Sequence, residues 1–199
     1  MKDRRWRKAG NRDMREKAVS GTQTKTIAQV GLMAALICVM GPFSIPLPIS
    51  PVPISLTNLA VYFVIYAIGM KKGTLAYLVY LLIGFAGLPV FSAFTGGAGK
   101  LLGPTGGYLI GFIFMALICG AFIEKWPERL SMHFLGMAAG TAVCYLFGTV
   151  WLSWQAGMGF SVALAAGVLP FIPGDLAKII VSMLLGSQIR KKLKAFGMV

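Results

Sequence analysis

Pro170-Phe171-Ile172-Pro173-Gly174-Asp175-Leu176-Ala177-Lys178, close to the C-terminus, sets one acid and one base inside a run that otherwise reads as membrane. Every other acidic side chain, Asp3, Asp13, Glu16, Glu124 and Glu128, falls in a polar tail or a charged loop where water solvates it cheaply. A Pro-Gly step that starts a helix puts Asp175 and Lys178 three residues apart on one face, near the positive end of the helix dipole. Charge at membrane depth is expensive, so the pair marks a functional position by default. The structural alternative is a mutual ion pair that neutralises itself and fixes helix packing.

The composition around this stretch is that of a membrane protein. Of 199 residues, 57% are hydrophobic and only 13% charged, and the mean hydropathy is +0.76, far from a soluble domain. No polar linker divides the apolar blocks, so residues 27–199 read as one transmembrane domain behind a basic cytoplasmic tail, residues 1–26. The net charge of +13 gathers in that tail, in short loops and at the C-terminus. Topology rules and anionic lipids account for it, and nucleic-acid binding is rejected. Cys38, Cys119 and Cys144 stand singly in apolar runs without metal or disulfide spacing, as small packing residues do.

Taken in order, the chain predicts six transmembrane helices with both termini cytoplasmic. The first runs from Ile27 to Met40 and meets Pro42, Pro46, Pro48, Pro51 and Pro53, which no helix tolerates. Within it Gly31 and Ala35 have the small-xxx-small spacing that lets another helix approach. The second span, Ile54 to Met70, stops at the basic turn Lys71-Lys72-Gly73. The third runs from Thr74 to about Leu88. Leu88 to Tyr108 is glycine-rich yet apolar and lacks the residues of a phosphate-cradling loop, so it reads as a wall or lid over a site. A fourth span, Tyr108 to Ile123, meets a second charged turn, Glu124 to Arg129. A fifth, from Ser131, ends at Trp151-Leu152-Ser153-Trp154, and the sixth runs from Gly174 to Ile189 into Arg190-Lys191-Lys192. His133, the sole histidine, has no ligand-spaced partner and reads as an interfacial polar residue rather than a metal ligand. The paired tryptophans read as an interfacial belt, with stacking on a planar ligand as the alternative for Trp151.

This arrangement puts the proline loop, the glycine loop, the tryptophan pair and Asp175/Lys178 on one outer side, which turns scattered signals into a pocket. Lys178 suits a carboxylate, and Asp175 suits ligand N–H groups. No nucleophile, base and orienting group occur together in the spans, so the chain does not read as an enzyme.

Five segments together resemble the biotin-specific membrane substrate-binding component of energy-coupling factor transporters. They are Pro51 to Leu56, Gly87 to Phe91, Leu102 to Tyr108, Trp151 to Gln155 and Phe171 to Lys178, in order and with similar spacing. The resemblance implies a six-helix substrate-binding subunit in the plasma membrane. It implies biotin as transported substrate with no cofactor, and a transmembrane coupling protein and two cytoplasmic ABC-type ATPases as partners. It makes Asp175 and Lys178 ligand contacts and folds the glycine loop, with Thr95, Gly96 and Gly97, over the ligand. Tyr108 and Trp151 fall in matching segments, and Gly31 and Ala35 fall on the family's coupling patch, with Gly31 in place of its first Ala. Thr57 stands where the family commonly has Gln, and its neighbour Asn58 is the substitute contact. The rival reading is a stand-alone secondary transporter that uses Asp175 as a proton site.

Overall fold

A computed structural model describes residues 23–195, so most of the expected tail at residues 1–26 lies outside the described residues. The elements are α1 (Gln23–Met40), β1 (Ser44–Leu47), β2 (Ser50–Ser55), α2 (Thr57–Ile68), α3 (Met70–Phe85), α4 (Ala98–Leu101), α5 (Gly106–Lys125), α6 (Leu130–Ala156), α7 (Phe160–Gly167) and α8 (Ile172–Ala195). Four of them, α1, α5, α6 and α8, are long and apolar enough to cross a membrane. The second and third expected spans appear as the shorter helices α2 and α3.

The helix break between α2 and α3 is Gly69, at φ 83°, a conformation in which glycine pays no Cβ penalty. Lys71 and Lys72, expected to form the turn, instead lie in the first turn of α3. Glu124 at the end of α5 accepts the Met70 N–H at 2.7 Å, satisfying one of the donors a helix start leaves unpaired.

The proline-rich connection is an antiparallel hairpin, with Ser44 opposite Ser55 and Ile45 opposite Ile54, and an irregularity between Ile45 and Leu47. Prolines fit because both strands of a two-stranded ribbon are edges, and Pro46 sits at the irregularity. The segment from Gly157 to Leu169 contains α7, a short helix of eight residues.

Glycines set the α5–α6 seam. A Cβ on Gly107 would fall 2.3 Å from Trp151 Cβ, and one on Gly111 would fall 2.9 Å from Cys144 Cα. Further along, Gly140 faces Met115 and Gly136 faces Phe122, so the two antiparallel helices meet through small residues. Helices α2 and α8 run side by side in the same direction. Asn58 meets Asp175 at one end, and Gly186 faces the Tyr66 ring at the other. Helix α6 runs against both, placing His133 beside Tyr66, Thr141 beside Tyr62 and Tyr145 beside Asp175.

His133 is buried against the protein and fully partnered. It is 2% exposed, with Nε2 3.0 Å from the Trp126 carbonyl and Nδ1 3.1 Å from the Tyr66 hydroxyl. A carbonyl only accepts, so Nε2 carries the hydrogen and Nδ1 accepts from Tyr66. The three thiols are free, and among the described residues no cluster of His, Cys, Asp and Glu has the makings of a metal site.

Candidate ligand-binding site

The first turn of α8 carries Asp175, whose own N–H donates to the Phe171 carbonyl at 2.8 Å. Asp175 and Lys178 form an ion pair of 3.0 Å, with side chains only 11% and 13% exposed. Taking such charges out of water costs several kcal/mol each unless their remaining hydrogen-bonding capacity is filled, and here it is filled from four elements. Asp175 Oδ1 accepts from Asn58 Nδ2 at 2.8 Å and from Lys178 Nζ, while Oδ2 accepts from the Tyr145 hydroxyl at 2.6 Å. Lys178 Nζ also donates to the Ser55 carbonyl at 2.7 Å and to Asn58 Oδ1 at 3.0 Å. Strand β2, α2, α6 and α8 thus converge on one pair of charges.

The pair lies in the wall of a cavity lined from β2, α2, α5, α6 and α8, a concave, mostly apolar site with a few convergent polar groups, as small-molecule sites are. A pair that served packing alone has no need of a cavity. The apolar wall includes Val52, Leu109, Phe112, Met115 and Phe171, and the polar groups are few and grouped. Such a lining suits an amphiphilic ligand, with the charges to orient it and the apolar wall to exclude water.

Of the residues singled out from the sequence, Asn58, Tyr108, Asp175 and Lys178 line this cavity together. Tyr108 is also tied down: its hydroxyl donates to the Gly167 carbonyl at 2.8 Å, and Gly148 and Gly167 close against its ring. Thr95, Gly96, Gly97 and Trp151 lie outside the lining. Thr95 donates its hydroxyl to the Ser92 carbonyl at 2.8 Å. Gly96 sits where a Cβ would fall 2.2 Å from the Leu88 carbonyl oxygen, and Gly97 has φ 85°. These three shape the loop that presents Ser92 to the cavity. Trp151 donates to the Gly103 carbonyl at 2.9 Å and faces Trp154 edge-on at 5.6 Å, in a separate apolar groove between α5 and α6. Gly31 and Ala35 are exposed on α1, outside the cavity lining, and among the described residues nothing lies within 4 Å of a Cβ placed on Gly31.

Sequence reasoning passed over Tyr145, Thr141, Ser55 and Ser92, all of which line the cavity. A signal existed for two of them: His133, Thr141 and Tyr145 recur at whole-turn spacings along α6, and Asn58, Tyr62 and Tyr66 do so along α2.

Comparison with known proteins agrees with this geometry. The biotin transporter BioY of Thermotoga maritima is 38% identical over 167 residues, which cover 84% of this chain and 96% of that protein. That of Rhizobium etli is 35% identical over 175 residues, 83% of this chain and 93% of the relative. The crystal structure of the S-component for biotin from an ECF-type ABC transporter superposes with a TM-score of 0.79 at 30% identity, covering 86% of this chain and 93% of that one. The BioY family model matches residues 12–195, and the chain belongs to the BioY family.

Proposed function

We propose that the chain captures biotin for uptake as the membrane substrate-binding subunit of an energy-coupling factor transporter, a transport protein of the plasma membrane and not an enzyme. The observation that carries this reading is the placement of one buried acid and one buried base in the wall of a largely apolar cavity, in a chain whose relatives are biotin transporters. Biotin has a ureido head with N–H donors and a carbonyl acceptor, an apolar ring system and a carboxylate tail. Asp175 answers the donors, Lys178 answers an anionic or carbonyl oxygen, and the apolar wall answers the ring. Asn58 and Tyr108 complete the substrate contacts. Thr95, Gly96, Gly97 and Trp151 act one step back, by holding the loops that border the cavity.

In this reading α1, α2, α3, α5, α6 and α8 make six crossings with both chain ends in the cytoplasm. The basic residues Lys71, Lys72, Lys125, Arg129 and Lys191 then fall at the inner face, as the positive-inside rule requires. Residues 27–199 act as one domain. The chain has no nucleotide motif, so energy comes from partners: a transmembrane coupling protein and two cytoplasmic ABC-type ATPases. The exposed Gly31/Ala35 face of α1 offers a helix the close approach that such docking needs.

Equilibrium binding of biotin to the purified, folded chain tests the function directly. Saturable binding that is lost in Asp175→Asn and Lys178→Ala supports it, and a folded protein that does not bind biotin overturns it.

A further inference from the structure

On the far side of the α6–α8 seam lies an open crevice. Its wall includes Ala142, Ile172 and Leu176, all exposed on the outer surfaces of α6 and α8. In a bilayer that surface meets acyl chains. Thr141, Tyr145 and Asp175 line this crevice and the ligand cavity alike, so the partition between a ligand chamber and the lipid phase is side-chain thin. The two carboxylate oxygens of Asp175 have different partners. Oδ1 is held by Asn58 and Lys178, which line only the ligand cavity, and Oδ2 is held at 2.6 Å by the hydroxyl of Tyr145, which lines both.

We propose that Tyr145 is a positioning residue that seals the ligand cavity from the membrane-side crevice and fixes the rotation of the Asp175 carboxylate. An acyl chain donates no hydrogen bond, so a carboxylate oxygen bared to the crevice would lose its solvation with nothing in return. The phenol supplies both parts of the remedy: its ring occupies the seam and its hydroxyl satisfies Oδ2. With Oδ2 tied back, Oδ1 stays turned toward Asn58 and Lys178, the orientation in which the acid can receive a ligand N–H. Phenylalanine keeps the ring and loses the hydroxyl, whereas alanine loses both. The two functions are therefore separable.

This inference rests on Asp175 as the ligand-reading acid. The experiment uses the full chain in phospholipid vesicles with two independent readouts. The first is biotin affinity. The second, measured without biotin, is modification of Asp175 by a lipid-soluble carbodiimide, located by peptide mass spectrometry. Tyr145→Phe weakens biotin binding by about tenfold or more, the loss of one hydrogen bond to a charged group. Asp175 is unmodified in the wild type, and Tyr145→Ala renders it reactive. A tyrosine that only packs would lower the thermal midpoint without changing reactivity below it. Equal modification of wild type and Tyr145→Ala, or unchanged affinity in Tyr145→Phe, overturns the proposal. Should the alanine variant not fold, the phenylalanine variant decides. If Asp175→Asn binds biotin normally, the site reading itself fails, while the carbodiimide contrast still judges the seal.

Discussion

Asn58 and Lys178 meet at 3.0 Å through Oδ1, while the other end of the same amide donates to Asp175 at 2.8 Å. One neutral side chain thus spans both charges and sets their separation. Asn58→Leu keeps the approximate volume and removes both bonds. A hydrogen bond to a charged group contributes about 1.5–3 kcal/mol, so biotin affinity falls by about tenfold to a hundredfold. Calorimetric titration of the purified variant checks this, and unchanged affinity would place Asn58 outside recognition.

The ion pair makes a second expectation that separates packing from recognition. Removing one partner strands a buried charge, at a cost of about 3–5 kcal/mol, whereas removing both with residues of similar size is often neutral or better. Asp175→Asn and Lys178→Met should each lower the thermal midpoint in detergent, and the double variant should recover most of that loss. Biotin binding should stay abolished in all three. A double variant that regained binding would reduce the pair to a packing device.

How much of this was legible beforehand depended on what each residue costs. Two charges in an apolar run are costly wherever they sit, so Asp175 and Lys178 stood out from the sequence alone and both line the cavity. Asn58 was reached only through the family resemblance, because a single amide next to a helix start reads as an ordinary cap. Tyr145 left almost no trace, since a tyrosine in an apolar span packs as well as it bonds and its partner is 30 residues away. Prolines announced that no helix follows α1 but not that a hairpin forms there. The positive φ angles of Ala93 and Phe94, 61° and 54°, belong to residue types that carry no turn signal. What the sequence left open was tertiary: which face of α6 turns inward, and which loop residues reach the cavity.

Gly107 illustrates a position where close approach forbids any side chain. A Cβ there would meet Trp151 Cβ at 2.3 Å and the Phe147 carbonyl oxygen at 2.6 Å, and neither atom moves without the α6 backbone. Gly107→Ala should destabilise the chain by about 1–3 kcal/mol, as overpacking does, and lower its thermal midpoint. Gly99→Ala, with nothing within 4 Å, is the control and should leave the midpoint unchanged or raised.

At the end of the α2–α6 contact away from Asp175, Tyr66→Phe leaves the buried Nδ1 of His133 without its donor. An unsatisfied buried acceptor costs about 1–3 kcal/mol, so thermal stability should drop. Tyr66 lies eight residues beyond Asn58 on the same helix, roughly 12 Å along the axis, so biotin affinity should hold. A large loss of affinity would show that the two ends of the α2–α6–α8 interface move as one.

The α1 surface invites the converse experiment, in which partners are lost and ligand is kept. Gly31 and Ala35 are exposed, and their neighbours Ile27, Leu32 and Val39 are 72%, 67% and 64% exposed. Among the described residues, a Cβ added at Gly31 meets no atom within 4 Å, so Gly31→Leu/Ala35→Leu should insert, fold and bind biotin as the wild type does. It should nevertheless fail to co-purify with the coupling protein proposed above, because small residues are what allow two helix backbones to approach closely in a membrane. Loss of biotin binding together with co-purification would instead mean that this face packs within the subunit, and retention of both would move the coupling surface elsewhere.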